Sequence, residues 1–511
     1  MDWRNETDLK RSLVKNAISN LSRGGAAAAV ALVLPPILVR HMTTASYSVW
    51  VLALQAAAYL GYLDFGLQTA VGRYIAFANE KQDPKSRDAI FSTAFAGLSI
   101  AAALGLVVVA GIALAAHSIF PAMPVELLPA LRMTLLIVGV STALGLPASA
   151  WNGVFVGLQR FDIPAITVGS GKLLGAIGLI VAALTGRSLV TMAMIAAAAN
   201  FYSYAFQFAM KRRLAPEVRF HPGLITRPVV KELLGYCMSL TVWSLSMLLV
   251  SGFDLLLVGR FEFAAVTPYA VAATLITFLA GLQVAIFGVI MPHSAQLHAR
   301  SDSTELGRLL LNSTRIGVLL LSVTGLPLIV FASPIVGTWI GHQFAASGGA
   351  VLALLVIANM VRLTGVPYAS ILIGTGQQKL ILISPLMEGI SNLVASILLG
   401  MRFGAIGVAW GTLIGAVIGM LANLVYNIPR TKGCIDISRS RYISFALAAP
   451  SACLLPVCLV WCVLAYFRQS VPGVSGFLLP VAAVSFGLCA FFLIRVAMQD
   501  RGSAGGLRDV K

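Results

Sequence analysis

The chain has 511 residues, of which 58% are apolar and only 11% charged, and 36 Lys+Arg against 19 Asp+Glu give a formal charge of +17. A soluble domain carries about 25% charged residues. So few charges cannot cover a water-facing surface, and the mean hydropathy of +0.89 places the chain among polytopic membrane proteins. A disordered chain and a small disulfide scaffold are excluded, and the basic excess is no nucleic-acid footprint, because the positive residues sit between apolar spans.

Crossing ~30 Å of hydrocarbon takes ~20 mostly apolar residues in a helix. Fourteen such runs follow one another: 17–39, 46–76, 89–116, 127–155, 163–184, 189–210, 233–258, 266–292, 309–331, 346–373, 381–399, 405–428, 443–466 and 477–498. Their length and continuity favour helices over barrel strands, which would alternate with a period of two. The expected fold class is therefore all-α, a polytopic membrane protein of about 14 transmembrane helices. The first run holds Arg23 and Pro35-Pro36 and is too long for the apolar core of a cleavable signal, so it is expected to remain as a span.

Placing the N-terminus inside puts 24 Lys and Arg in inner segments and 5 in outer loops, which predicts cytoplasmic termini. The longest loop, 211–232, is expected to separate two lobes: 1–210 with spans one to six, and 233–428 with spans seven to twelve. Residues 429–511 would add spans thirteen and fourteen and a tail. A faint repeat agrees, since Gly66-Leu67-Gln68-Thr69-Ala70 matches Gly281-Leu282-Gln283-Val284-Ala285 at four of five positions. Repeated halves around a central site are a common transporter plan.

Catalytic signatures do not appear. Gly169-Ser170-Gly171-Lys172-Leu173 lacks the upstream glycine and the following Ser/Thr of a phosphate-binding loop. The outer loops are too short to build a catalytic domain. No enzyme activity, cofactor or metal is expected. Of the six cysteines, Cys453, Cys458 and Cys462 share one apolar run, and neither they nor Cys237 and Cys434 have a metal-ligand spacing; no disulfide is expected.

Chemistry is therefore sought in the charges within spans: Arg23, Arg73, Arg132, Lys172, Arg315, Arg362 and Arg495, with Asp64, Asp254 and Glu388. A charge at the bilayer centre costs ~2.5–3.5 kcal/mol on insertion scales and normally faces a bundle interior or a wet cavity. Arg73, Arg132 and Arg495 lie near span ends, where snorkelling accounts for them. Arg23 and Arg315 lie about six residues in, where snorkelling and cavity lining compete. Lys172, Arg362, Asp64 and Glu388 are deep. Asp254 has two readings, an ion pair with Arg260 or a functional role. Buried pairing, Lys172 with Asp64 or Arg362 with Glu388, is the structural alternative for the deep residues. Cations outnumber acids seven to three, which favours a positive cavity and an anionic substrate. Pro35-Pro36, Pro147, Pro327, Pro367 and Pro385 interrupt spans and are ordinary in membrane helices, yet also suit a mobile machine.

The segments Ser46-Tyr47-Ser48-Val49-Trp50, Gly61-Tyr62-Leu63-Asp64-Phe65-Gly66-Leu67 and Gly72-Arg73-Tyr74 resemble the opening region of bacterial polysaccharide transporters. These are the lipid-linked oligosaccharide flippases of the multidrug/oligosaccharidyl-lipid/polysaccharide exporter superfamily. Gly153-Val154-Phe155-Val156-Gly157-Leu158-Gln159-Arg160-Phe161 resembles that family's segment leaving span four. The resemblance implies two six-helix bundles in a V around a cationic cavity that alternates between inward-open and outward-open states. By span position and charge it also implies that Arg23, Lys172, Arg315 and Arg362 face a diphosphate, with Asp64, Asp254 and Glu388 as ion-coupling or pairing acids. The implied substrate is a polyprenyl-diphosphate-linked oligosaccharide destined for lipopolysaccharide or exopolysaccharide. The implied setting is the bacterial inner membrane, with membrane lipids, a polysaccharide polymerase and glycosyltransferases as partners and no nucleic acid. Competing readings are a multidrug/cation antiporter, which would want an acidic cavity, and a membrane-embedded polymerase, which would want larger outer loops. A purely structural scaffold leaves the deep charges without a purpose.

Overall fold

The computed structural model describes residues 30–448, apart from position 289. Positions 17–29 of the first span, positions 449–466 of span thirteen, span fourteen, Arg23, Arg495, Cys453, Cys458 and Cys462 lie outside the described residues. Within them the chain is all-α with no strand, and ten segments are long and apolar enough to cross a membrane. Only 22–56% of the apolar window in each segment is buried against protein. Ile100, Leu104 and Val107 form an exposed stripe at helical spacing, while Ser92, Thr134, Ser141 and Thr167 are buried. So many large apolar side chains on the outer surface suit lipid as the outer solvent.

Two compact units divide the chain, residues 1–270 and 271–511. The first contains α1 (Val30–His41), α2 (Thr44–Ala58), α3 (Leu67–Glu80), α4 (Pro84–Leu114) and α5 (Leu128–Gly157). It continues with α6 (Asp162–Leu184), α7 (Leu189–Leu214), α8 (Arg227–Ser251) and α9 (Asp254–Phe261). The division between units falls inside α10 (Val266–Phe287). The loop after α7 is docked onto the first unit: the Arg87 guanidinium donates to the Glu217 carbonyl at 2.8 Å, and His221 N–H donates to Ser92 Oγ at 2.8 Å. Ala215 and Val218 are fully buried there. An aromatic chain of Phe91, Phe95, Trp151 and Phe208 ties α4, α5 and α7 together, and Phe220 of the docked loop joins it at Phe95.

Local chemistry sets the helix ends. Asp83 caps α4 by accepting from Ser86 N–H at 3.0 Å, and Pro84 occupies the first turn, where its missing N–H is no loss. The second predicted span is broken: a 3₁₀ turn, Tyr59–Asp64, leads to Phe65 at φ 49° and Gly66 at φ 79° before α3 begins. A Cβ at Gly66 would lie 2.8 Å from the Leu240 side chain, so both the left-handed backbone and the close approach of α8 call for glycine. The repeat seen in the sequence has no such counterpart, because Gly281 lies inside α10 without a positive φ and with open space around it.

The second unit continues with α11 (Ile290–Ala299), α12 (Ser303–Val330), α13 (Ala332–Ile340), α14 (Ala345–Leu363), α15 (Val366–Gly374) and α16 (Ile383–Ala422). Pro367 opens α15, so the tenth span is two helices. Spans eleven and twelve are one continuous helical stretch by hydrogen bonding, reversed at Gly404 with φ 57° and ψ −136°. After the reversal, Gly407, Gly411, Gly415 and Gly419 present bare backbone to Leu399, Ser396, Asn392 and Glu388 on the facing arm. Small residues at every fourth position let membrane helices approach closely.

Candidate functional site

Lys172 stands on α6, a helix whose other face packs small residues against α7. A cavity of about 490 Å³ opens beside it, bounded by α1, α5, α6 and α7 and lined by Asn152, Lys172, Asn200, Ser203, Tyr204 and Gln207 among others. Gly145 and Gly171 make the lining possible, since a side chain at either would collide with Tyr204 or Ser203. Asn200 donates to Ser141 Oγ at 3.0 Å, Tyr204 OH to the Ser141 carbonyl at 3.1 Å, and Ser203 Oγ to the Ala199 carbonyl at 3.1 Å. These bonds fix the side chains and leave oxygen lone pairs unused. Asn152 Oδ1 and Gln207 Oε1 are buried without a hydrogen-bond partner among the described residues. Lys172 is exposed and forms no hydrogen bond or ion pair with the described residues. The Lys172–Asp64 pairing considered from the sequence is not made.

Asp64 lines a different cavity of about 450 Å³, at the broken second span, with Gln55, Tyr59, Tyr62, Thr69 and Ser244. Its carboxylate accepts from the Gln68 N–H at 3.2 Å, in the first turn of α3. The break in the helix thus supplies an anion with a helix N-terminus, a favourable setting for the charge. Asp254 is buried at the start of α9. Its sequence-level partner, Arg260, turns elsewhere and donates to the carbonyls of Ser118 and Ile119 at 2.8 and 3.1 Å. Six residues along a helix is about 240° of rotation, so Asp254 and Arg260 point to different faces.

In the second unit the guanidinium of Arg362 donates from Nε to Glu388 Oε1 at 2.5 Å and from Nη1 to Asn359 Oδ1 at 3.2 Å. The side chains are 17% and 11% exposed, so the pair is largely withdrawn from solvent. Here the structural alternative is realised: α14 is pinned to α16, and the Arg362 charge is already compensated. Arg315 on α12 differs, because its Nε is buried without a partner among the described residues. Of the residues assigned to span ends, Arg132 donates to the Ala113 carbonyl at 3.0 Å. Arg73 is exposed, with its guanidinium 4.7 Å from the Tyr236 ring centre. Both are local anchors. No group of three or more metal-ligating side chains occurs among the described residues.

The uncharged half of the Lys172 cavity was missed in the sequence. Asn200, Ser203, Tyr204 and Gln207 follow the i, i+3, i+4, i+7 spacing of one helix face in an otherwise apolar span, and that stripe was the available signal.

Lipid-facing outer surfaces and a polar cavity beside a cation that has no partner among the described residues suit a membrane transporter. Solved structures share the fold. A lipid II flippase, MurJ, in its inward closed conformation aligns with a TM-score of 0.70 at 15% identity, over 95% of this chain and 100% of that one. An inward-facing multidrug resistance transporter of the MATE family, MOP superfamily, gives a TM-score of 0.68 at 15% identity over 82% and 98%. A MOP superfamily transporter from Pyrococcus furiosus gives 0.56 at 15% over 85% and 96%. Curated protein sequences yield no match. The polysaccharide biosynthesis protein family model matches residues 13–298, more than half of the chain, and the chain belongs to that family.

Proposed function

We propose that the protein is a flippase that moves a polyprenyl-diphosphate-linked oligosaccharide from the cytoplasmic to the outer leaflet by alternating access, for cell-surface polysaccharide synthesis. Lipopolysaccharide and exopolysaccharide are the products considered, and the bacterial inner membrane, with both termini cytoplasmic, is the location. The observation that carries the reading is the exposed Lys172 ammonium, without a partner among the described residues, beside a polar cavity of about 490 Å³ in a chain of the polysaccharide biosynthesis family. An antiporter of cationic drugs would want an acid there, and none of the described residues lining this cavity is acidic.

The physics suits such a substrate. A lipid tail stays in hydrocarbon while the anionic link and the glycan need a polar path. A fixed ammonium substitutes for part of the phosphate's hydration. Outward movement takes negative charge away from a negative interior, a gain of ~2.3 kcal/mol per charge per 100 mV. Lys172 is assigned to the headgroup, and Arg23 and Arg315 are the further candidates. Arg362 is assigned to holding α14 on α16, since Glu388 and Asn359 already occupy its guanidinium. Asp64 is the candidate for ion coupling. Polymerase and glycosyltransferase partners follow from the pathway such a flippase would serve. The test is reconstitution into liposomes with a fluorescent polyprenyl-diphosphate sugar. Transfer by the parent and its loss in Lys172→Ala support the reading, and no transfer by the folded parent overturns it.

A further inference from the structure

One end of the first unit carries more positive charge than its acids compensate. There α3 ends, α4 begins, and the loop after α7 is docked on α4 through Ser92 and Asp88. The acids at this end are largely engaged. Asp83 caps α4, and Asp88 accepts from Arg87 Nε at 3.4 Å and from the Arg219 N–H at 3.3 Å. Asp162 holds Arg160 at 3.0 Å. Lys211 donates to the Val218 carbonyl and lies within electrostatic reach of Glu217. Arg212, Arg213 and Arg219 are exposed and make no ion pair with the described residues.

These guanidiniums sit among exposed aromatic rings. Arg212 lies 4.9 Å from the centre of the Phe208 ring, and Phe220 follows Arg219 directly in the docked loop. Phe208 and Phe220 are the two ends of the aromatic row that runs through Trp151 and Phe95, and they are 39% and 44% exposed. The pairing of a ring with a cation four residues later recurs at two other helix ends. Lys81 stands 4.4 Å from the Phe77 ring centre and, in the second unit, Arg430 stands 4.6 Å from that of Tyr426. Such a pair suits the boundary of a bilayer, where the ring takes the headgroup level and the cation takes a lipid phosphate. A topology signal needs only the charge, and neither the rings nor a loop fixed against the bundle.

We propose that Arg212, Arg213 and Arg219, with Phe208 and Phe220, form a binding surface for the headgroup of an anionic phospholipid. The guanidiniums donate to its phosphate oxygens, the acyl chains meet the exposed rings, and the bound lipid holds the loop against α4. This goes beyond the transport reading, since the lipid bound here is not the one carried.

Native mass spectrometry tests it on the full chain, titrated in a neutral detergent with phosphatidylglycerol or phosphatidylcholine. The parent should retain phosphatidylglycerol in preference to phosphatidylcholine. Arg212→Gln with Arg213→Gln should weaken phosphatidylglycerol roughly tenfold or more, because each basic residue near an anionic surface contributes about fivefold. Arg212→Lys with Arg213→Lys should keep most of the binding. Arg187→Gln with Arg402→Gln removes the same charge elsewhere and should leave retention unchanged. The Arg212/Arg213 glutamine variant should melt with the parent in lipid-free detergent by circular dichroism, and phosphatidylglycerol should raise the melting temperature of the parent more than that of the variant. Equal retention of phosphatidylglycerol by the parent and that variant would overturn the proposal. So would an equal loss in the Arg187/Arg402 variant, the behaviour of net charge alone, or full displacement by inorganic phosphate, the behaviour of a free-anion site. A parent that flips lipid-linked sugar but shows no preference for phosphatidylglycerol defeats this surface and leaves the flippase reading standing.

Discussion

Removing Arg362 should unfold the second unit more readily rather than disable a binding site. Its Nε lies 2.5 Å from Glu388 Oε1, and both side chains are under a fifth exposed. Glu388 also sits against Gly419, where a Cβ would be 2.6 Å from its Oε2, so the carboxylate has little room to turn toward water. Arg362→Ala therefore strands a buried acid, at a cost of about 3–5 kcal/mol. Replacing both partners by neutral groups of similar shape, Arg362→Met with Glu388→Gln, should recover most of that loss. The coupling energy of the cycle should exceed about 1 kcal/mol, as is usual for residues sharing one buried network. The assay is unfolding in mixed micelles with rising SDS, followed by helical circular dichroism, alongside abundance in membranes. If Arg362→Ala unfolds with the parent at normal abundance, or if the double variant is no better than the single, the pairing argument is wrong. Loss of transport at full stability would return Arg362 to the substrate-binding set.

Four further outcomes follow from the same geometry. Lys172→Ala should abolish flipping at normal abundance, because no described residue loses a partner, while Lys172→Arg should retain part of the activity; liposome transfer and quantitative immunoblotting together check this. Gly415→Leu should destabilise by roughly 1–3 kcal/mol or more, since even a Cβ would approach Asn392 Cβ to 2.6 Å, and the same SDS unfolding reads it. Burial pushes the Cys434 thiol above its usual range, and Thr375 offsets this only in part; a raised value means the thiolate appears at higher pH. Iodoacetamide at pH 8.5 should accordingly modify Cys434 faster after denaturation than before. For topology, a cysteine at position 187 should label from outside intact cells with an impermeant reagent, and one at position 219 should not, as the 24-to-5 charge asymmetry requires.

Hydropathy made most of the helical order legible, because a run of apolar residues must be helical in lipid whatever its partners are. The second span shows the limit. Residues 46–76 read as one run, yet Phe65 and Gly66 turn left-handed in the middle, and an apolar break leaves no mark on hydropathy. The division of the tenth span, by contrast, was marked by Pro367, which stands at the start of α15. Charge drew attention to Lys172, Arg362 and Glu388 because each is rare in a span, and rarity is a property of sequence alone. Which of them would meet is a property of packing between helices. Arg362 and Glu388 are 26 positions apart, beyond any helical periodicity, and only the seating of α14 on α16 joins them. The Asn152, Asn200 and Gln207 amides escaped notice because an uncharged polar residue costs too little in a span to stand out, and their meaning comes from converging on one cavity.

The central claim is that Lys172 on α6 handles an anionic, sugar-bearing lipid. Transfer of fluorescent polyprenyl-diphosphate sugar between leaflets, measured by dithionite quenching in liposomes holding equal amounts of parent or Lys172→Ala protein, tests it most directly. Rapid transfer by the parent and the protein-free rate for Lys172→Ala are expected. Equal transfer by both proteins, or none by the parent, would contradict the account.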